Sequence, residues 1–144
     1  MPKGLFTREE LDQLSARIRD AESGSSGEIR VHLEAHCSGD VLVRARKIFH
    51  QLGMDKTRLR NGVLIYVATD DRKAGILGDQ GIHDKVSENF WQQELHLLLE
   101  HFGKKDYLIG LTEVIQQVGE KLKIYFPAEA TDTDELSNEI SFGA

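Results

Sequence analysis

The stretch NGVLIYVATDDRKAGILGDQG, residues 61–81, decides the fold of this chain. Its apolar run, residues 63–68, has no polar alternate position, which is typical of a central strand covered on both faces. A second run, residues 73–78, begins about four residues later, which is too short a gap for a crossover. We therefore expect a hairpin, and the loop TDDRK at 69–73 is either its plain turn or a functional site.

A strand with one polar face precedes this hairpin, at EIRVHLEAH, residues 28–36. Its apolar side chains alternate with the polar set Arg30, His32, Glu34 and His36, which predicts a wet or functional face. A helical stripe, Leu42, Ala45, Phe49 and Leu52, separates the two strands. Because a strand, a helix and a strand in this order form a right-handed parallel crossover, we predict a mixed sheet.

Three further helices complete the predicted layers. The start FTREEL offers a capping box between Thr7 and Glu10, so the first helix is predicted over residues 8–22. Asp84 and Asp106 are the expected N-terminal caps of two C-terminal helices. The predicted fold class is α/β, with a mixed β-sheet sandwiched between helices in a Rossmann-like three-layer architecture.

Length and charge limit the class of protein. With 144 residues, 40% of them apolar and 29% charged, the chain has the profile of one soluble globular domain, predicted over residues 5–127. From Pro127 onward there are five acids and no base, so the rest of the chain is nearly neutral. No basic face for nucleic acid is predicted.

The acidic segment at residues 128–144 follows a helix-stopping proline. Its composition cannot bury enough apolar surface to offset the entropy of ordering, so we expect a disordered, solubilising tail. The alternative is that its last apolar side chains, Ile140 and Phe142, dock on a partner.

Cysteine usage and hydropathy indicate a compartment. The lone cysteine, Cys37, can form no internal disulfide, which favours a reducing environment. The N-terminus has no uninterrupted apolar segment, and the longest apolar run is too short to cross a bilayer. We expect a cytoplasmic monomer with neither a membrane nor a nucleic-acid partner.

Three carboxylates are predicted to share the rim beyond the carboxyl ends of the two parallel strands, where ligands bind in open sheets. Asp40 lies in the loop after the first strand, and Asp70 and Asp71 lie in the loop after the second. Hard oxygen ligands from loops suit Ca²⁺ or Mg²⁺, with main-chain carbonyls and water completing the shell. The structural alternative is that Asp40 only caps a helix and that the Asp-Asp pair only turns the hairpin.

Two further candidate sites involve other acids. Asp79 and Asp84 flank a glycine loop at the opposite edge of the sheet, where they could cradle a cation or, through helix amides, an anion. Glu34 could join His32 and His36 as metal ligands on one strand face, although most such faces are only solvated or covered. No unambiguous nucleophile is present, so catalytic residues are not assigned.

Three segments together resemble the TPM domain family, which is named for a thylakoid lumen protein, a photosystem repair factor and a nematode receptor modulator. They are SGEIRVHLEA at 26–35, NGVLIYVATDDRKAGILGDQGIHDKV at 61–86 and GKKDYLIGLTEVIQQVGEKLKIYFP at 103–127. The Asn-Gly, the apolar strand, the Asp-Arg and the glycine turn are the most specific part. The resemblance implies an α/β sandwich with a mixed sheet between helices.

The resemblance also implies a divalent cation, often calcium, in some members. By position, the acidic pocket of the family would fall on Asp70 and Asp71, and less directly on Asp40. We expect neither the signal peptide nor the membrane segment common in the family, and GDQGIH replaces the usual Gly-x-Gly-Leu-Glu, which leaves His83 where a carboxylate would stand. Both departures weaken the case for export and for phosphatase chemistry.

Two functions from different classes follow. We favour a Ca²⁺-binding and assembly module, with Mg²⁺ as the less favoured ion, whose acidic rim or tail meets a protein partner. The alternative is a metal-assisted acid phosphatase, in which the cation polarises a phosphoryl oxygen and Arg72 neutralises charge. In that enzyme Asp70 or Asp71 would hold the metal or activate water.

Overall fold

The computed structural model describes residues 5–128 and 140–143. In chain order the elements are α1 (Arg8–Glu22), β1 (Glu28–Glu34), α2 (Val41–Gln51), the 3₁₀ turn Met54–Lys56, β2 (Gly62–Ala68), β3 (Lys73–Gly78), α3 (Gln80–His83), α4 (Glu88–Gly103), α5 (Tyr107–Tyr125) and β4 (Ser141–Phe142). Helices cover both faces of one mixed sheet, so the predicted α/β class is confirmed.

The strand order of the sheet is β3-β2-β1-β4. β1 and β2 run parallel, from the pair Glu28 and Gly62 to the pair Glu34 and Ala68, and β3 returns antiparallel to β2. Both predicted strand directions are therefore confirmed. Because β1 and β2 are parallel and in register, the chain leaves both strands at the same rim.

Side chains of β2 alternate between two cores, which explains why the strand has no polar position. Val63, Ile65 and Val67 belong to the larger core, which α1, α4 and α5 cover. Leu64, Tyr66 and Ala68 belong to a smaller core under α2. All seven residues of the strand are buried.

The first helix has the predicted bounds. The amide of Glu10 donates to Thr7 Oγ1 at 3.1 Å, and the amide of Thr7 donates to Glu10 Oε1 at 2.9 Å, which completes the capping box. Among the described residues, no helix has both the length and the apolar content that a membrane span requires.

The prediction that Asp84 caps the N-terminus of α4 is wrong, because the short helix α3 precedes α4. Asp84 ends α3 as its C-terminal cap, and Ser87 occupies the N-cap position of α4. The carboxylate of Asp79 accepts from the amide of Gln80 at 2.8 Å, so a helical turn begins before the predicted cap is reached.

The predicted wet face of β1 is buried. His32 and Glu34 have relative exposures of only 4% and 2%. They lie on the α2 side of the sheet, where Arg44 of α2 supplies an ionic partner that strand alternation alone does not reveal. His36, by contrast, lies beyond the end of β1 and is exposed.

The last described residues belong to the sheet. Ser141 and Phe142 pair in parallel with His32 and Leu33 of β1, and Ile140 packs into the larger core. The average composition of the segment hides this short apolar end, since all five of its acids precede Ile140. Residues 129–139 and 144 lie outside the described residues, so the expected disorder there stays a prediction.

Candidate functional site

The loops after β1 and β2 lie side by side. Pairing continues past the strand ends, because the amide of Thr69 donates to Glu34 O and the amide of Asp70 donates to Ala35 O, both at 2.8 Å. The parallel register therefore delivers residues 36–40 and 69–73 to one rim, as the sequence predicted. We call these two segments the acidic rim.

Asp71 joins the two segments of the acidic rim. Its Oδ2 accepts from the amide of Cys37 at 2.7 Å, and its Oδ1 lies 2.9 Å from Nδ1 of His36. The bond to His36 is the main cause that lowers the pKa of Asp71, and the same bond raises the pKa of His36. The two side chains therefore form an ion pair below the pKa of the imidazole.

Asp70 is the open carboxylate of the rim. Its side chain is 61% exposed, and its Oδ2 lies 3.7 Å from Nε2 of His36. The imidazole of His36 is thus flanked by two carboxylates, and it is itself well exposed. A proton on His36 offsets part of the negative charge that these two acids concentrate.

The third predicted carboxylate has a structural role. Oδ1 of Asp40 accepts from the amides of Leu42 at 2.8 Å and Val43 at 3.2 Å, which caps the N-terminus of α2. These two hydrogen bonds give Asp40 the role of a helix cap, which the sequence offered as the alternative to a metal ligand. They leave one carboxylate oxygen of Asp40 without a capping role.

An ammonium group already contacts the carbonyl oxygens of the rim. Nζ of Lys73 donates to Cys37 O at 3.0 Å and to Gly39 O at 3.4 Å. Within residues 5–128 and 140–143, no group of three or more His, Cys, Asp or Glu side chains is arranged to hold a metal ion. The rim thus fits a cation only in part, through Asp70 and Asp71, and calcium binding stays a prediction.

The accessory residue Glu34 is not part of the rim surface. Arg44 Nε and Nη2 each donate to its carboxylate at 2.8 Å, and the hydroxyl of Tyr66 donates to Oε2. Nε2 of His32 lies 3.3 Å from Oε1. These partners, chiefly Arg44, lower the pKa of Glu34 to about 2, so the group is a buried structural anion.

The structure does not bring His32, Glu34 and His36 together as the metal ligands that the alternation of β1 suggested. Burial lowers the pKa of His32, whose Nδ1 lies 2.8 Å from Oγ of Ser141 on β4. His36 points instead to the acidic rim, where it contacts Asp71. The two imidazoles of the predicted trio thus have different partners.

Asp79 and Asp84 lie at the opposite edge of the sheet. Asp79 is buried and accepts from Nε and Nη2 of Arg60 at 2.7 and 2.9 Å. Asp84 is exposed and accepts from the side-chain amide of Gln80. Both acids therefore have local partners, and the structure separates them from the acidic rim.

The remaining accessory residue, Arg72, lines a cavity of about 300 Å³ beside the rim. Residues from the end of β2, the end of α4 and the start of α5 line the same cavity. Arg72 follows Asp71 directly, but Arg72 lines the cavity whereas Asp71 contacts His36 across the rim. One turn thus contributes to two different surfaces.

Comparison with known proteins gives the family. The profile of the TPM domain matches residues 2–121, which is most of the chain. The chain belongs to the TPM domain family. No curated protein matches this TPM domain.

Solved structures show the same fold. The BA42 protein from the psychrophilic bacterium Bizionia argentinensis is 45% identical, covers 99% of both chains and has a TM-score of 0.90. The N-terminal domain of a protein from P. gingivalis is 21% identical over 85% of this chain and 80% of that one, with a TM-score of 0.71. The N-terminal domain of the cg2496 protein from Corynebacterium glutamicum is 13% identical over 92% and 84%, with a TM-score of 0.67.

Sequence reasoning missed three cations and a hydroxyl around these surfaces of the TPM domain. The sequence places Lys73 only at the end of the TDDRK loop, and it gives Lys105 and Ser141 no recognisable role. For Arg44, a usable signal was its position three residues beyond Val41, on the helix that must cover the polar face of β1. Lys73 and Ser141 contact residues that lie far along the chain, and Lys105 is marked only by its position at the cavity, so no local pattern identifies these three residues.

Proposed function

We propose that this TPM domain is a binding module that takes a divalent cation, Ca²⁺ ahead of Mg²⁺, between the carboxylates of Asp70 and Asp71. The observation that supports this proposal is the convergence of these two acids on His36 at an exposed rim. When bound, the cation would supply the positive charge that His36 supplies when it is protonated.

The ligand set predicts weak binding. Calcium takes six to eight oxygen ligands, and two side chains provide only a small part of that number, so water would supply most of the rest. Within the described segments 36–40 and 69–73, Asp40 is the one further acid, and one of its carboxylate oxygens has no capping role. We therefore expect a Kd of roughly 10⁻⁴ to 10⁻³ M, at the weak end of the range that ligand charge and site rigidity give to calcium sites.

The chemistry of the rim favours a binding module over the alternative phosphatase. A phosphomonoesterase requires either a nucleophile or a positioned general base that activates water. Cys37 is buried, and its neighbour His36 is paired with Asp71. In the module, cation binding would change the charge and the conformation of an exposed surface, which a protein partner could then recognise.

The proposal is tested by following backbone amide shifts while CaCl₂, and then MgCl₂, is added to the protein. Shifts confined to residues 36–40 and 69–73, with saturation and a loss of binding in Asp70→Asn, would support a rim site. Asp70 is the suitable position because its side chain only approaches His36 at 3.7 Å, whereas that of Asp71 also accepts from the backbone amide of Cys37 and so holds the loop after β1.

The matched control is Asp84→Asn, which removes the same charge at the opposite edge. This variant is expected to bind the cation as the unmodified protein does. Equal weakening of cation binding in Asp70→Asn and Asp84→Asn would mean that binding depends only on the net charge of the protein. Shifts centred on Asp79 would place the ion at the edge opposite the acidic rim. Either result would contradict the proposal. The same samples are incubated with p-nitrophenyl phosphate. Turnover that is lost in Asp71→Asn would favour the phosphatase over the binding module.

A further inference from the structure

The cavity beside the acidic rim has an apolar wall that no part of the described chain fills. It lies between the end of β2, the β2–β3 turn and the junction of α4 and α5. Val67 of β2 and the apolar residues Leu99 and Phe102 of α4 are among the residues that line it. Leu99 is one of the few large apolar side chains that stay exposed, which is expected if the surface receives a ligand.

An aromatic pair forms another part of the cavity. The rings of Phe102 and Tyr107 lie 5.2 Å apart at an angle of 57°, so each ring restrains the other. Tyr107 also brings a phenol group to the lining. The volume, about 300 Å³, is at the small end of the range for ligand cavities.

The charge of the cavity has one sign. Arg72 and Lys105 both line it, and none of its lining residues is acidic. In residues 5–128 and 140–143, neither side chain pairs with a carboxylate. This contrasts with the protein as a whole, whose net charge is −6, and it selects an anion.

The backbone conformation distinguishes the same two residues. Across the described residues, three non-glycine residues have a positive φ: Arg60, Arg72 and Lys105, at 52°, 54° and 62°. The side chain of Arg60 is paired with Asp79, whereas Arg72 and Lys105 both line the cavity. At Lys105 this conformation follows the end of α4, where the amide of Asp106 donates to His101 O at 2.9 Å, and at Arg72 it closes the β2–β3 turn, so two ordered turns place these cations beside the cavity.

We propose that this cavity binds a small amphipathic carboxylate, with its head between Arg72 and Lys105 and its aryl or short alkyl body against Leu99 and Phe102. The planar fork of Arg72 matches a carboxylate, and Lys105 adds a second charge-assisted bond. The site is separate from the proposed cation site, because neither Asp70 nor Asp71 lines the cavity. It can therefore succeed or fail independently of that function.

The test uses 4-phenylbutyrate as the probe and its neutral amide, 4-phenylbutanamide, as the control ligand. Amide and methyl shifts are followed during titration of the full chain without divalent cations. We expect saturable shifts at Val67, Leu99 and the β2–β3 turn with the acid, and at least about tenfold weaker binding of the amide.

Two neighbouring lysines provide the matched variants. Lys105→Asn removes a cation that lines the cavity, and asparagine tolerates the positive φ at this position. Lys104→Asn removes the same charge one residue away, at an exposed side chain that contacts Glu100. We expect about tenfold weaker binding of the acid in Lys105→Asn and an unchanged affinity in Lys104→Asn.

Arg72→Asn is the second variant, and it is expected to weaken the binding of 4-phenylbutyrate by a similar factor. Equal affinity for acid and amide, or equal loss in Lys104→Asn and Lys105→Asn, would overturn the proposal. Phenyl phosphate and inorganic phosphate are titrated in parallel. Binding of both phosphates at these residues without binding of 4-phenylbutyrate would overturn the choice of a carboxylate.

Discussion

The carboxylate of Glu34 on β1 accepts two hydrogen bonds from the guanidinium of Arg44 on α2, each of 2.8 Å. Glu34 is buried, while Arg44 is about one-third exposed. This pair attaches α2 to the polar face of β1, next to the loop that carries His36 and Asp40. It explains how a strand with a polar face can lie inside the protein.

Breaking this pair from the Arg44 side is predicted to destabilise the protein. Arg44→Met leaves a buried carboxylate without its main partner, and we expect a loss of roughly 2–4 kcal/mol in the free energy of unfolding. Chemical denaturation at pH 7 measures the change. Arg46→Met, on an exposed side of the same helix, should change stability by less than about 0.5 kcal/mol. Equal effects of the two substitutions would contradict the role of the pair.

Acid should weaken the same region in two steps. Burial lowers the pKa of His32. The neutral imidazole therefore contributes fully to the free energy of unfolding above pH 6.5, and this contribution begins to be lost as the pH falls below that value. The pKa of Glu34 is lowered from 4.5 to about 2, so its contribution disappears as the pH falls from 4.5 towards 2. Unfolding free energies between pH 8 and 3 should show that His32→Asn loses the upper step. His96→Asn, at an exposed position, should retain it.

Glu94 is predicted to destabilise the protein at neutral pH. Its carboxyl is buried between α4 and α5 and faces Glu120 and Glu113, and burial is the main cause that raises its pKa from 4.5 to about 7. The free energy of unfolding is therefore highest below pH 4.5, where Glu94 is protonated, and it falls as the pH rises through 7. Glu94→Gln should stabilise the protein at pH 8 by up to about 3 kcal/mol, with little effect at pH 4. Glu88→Gln, at an exposed position of α4, should show no such pH dependence.

The docking of β4 is predicted to need glycine at position 143. The amide of Gly143 donates to Leu33 O at 2.8 Å, and a Cβ at this residue would overlap with the side chain of Glu34. Gly143→Ala should release β4 and Ile140, at a cost of about 1–3 kcal/mol, and should speed amide exchange at position 143. Gly103→Ala adds the same methyl group where no neighbour is within 4 Å. A stable, protected Gly143→Ala protein would show that β4 does not depend on this contact.

Cation binding at the acidic rim should depend on the protonation of His36. Asp71 raises the pKa of His36, so the imidazolium competes with the cation to a higher pH than an ordinary histidine would. The affinity for Ca²⁺ should therefore be several-fold higher at pH 8.5 than at pH 5.5, as measured by amide shifts. His36→Asn should remove most of this difference. The same pH dependence in the variant would mean that His36 does not occupy the cation position.

Much of the fold could be predicted because its signals are local. The capping box at Thr7 specified the start of α1, and the unbroken apolar run from Val63 specified a strand that is buried on both sides. The short gap before Lys73 required an antiparallel return. The rim at the ends of β1 and β2 followed from these directions alone.

Individual side-chain partners could not be predicted in the same way. Glu34 has the spacing of an exposed strand residue, yet α2 buries it, and Asp84 has the features of a cap that Asp79 makes unnecessary. His32 contacts Ser141, which lies 109 residues further along the chain. Periodicity describes which face a residue occupies but contains no information about what covers that face.

The amino-acid sequence by itself determined the layers, the strand directions and the convergence of Asp70 and Asp71 with the loop after β1, because hydrophobic periodicity and loop length act over short stretches of chain. Only the tertiary structure decided that Asp40 caps a helix, that Asp71 contacts His36 and that Arg72 lines a separate cavity. These outcomes depend on hydrogen-bond geometry between segments that are distant in sequence, and that geometry exists only after the layers have packed.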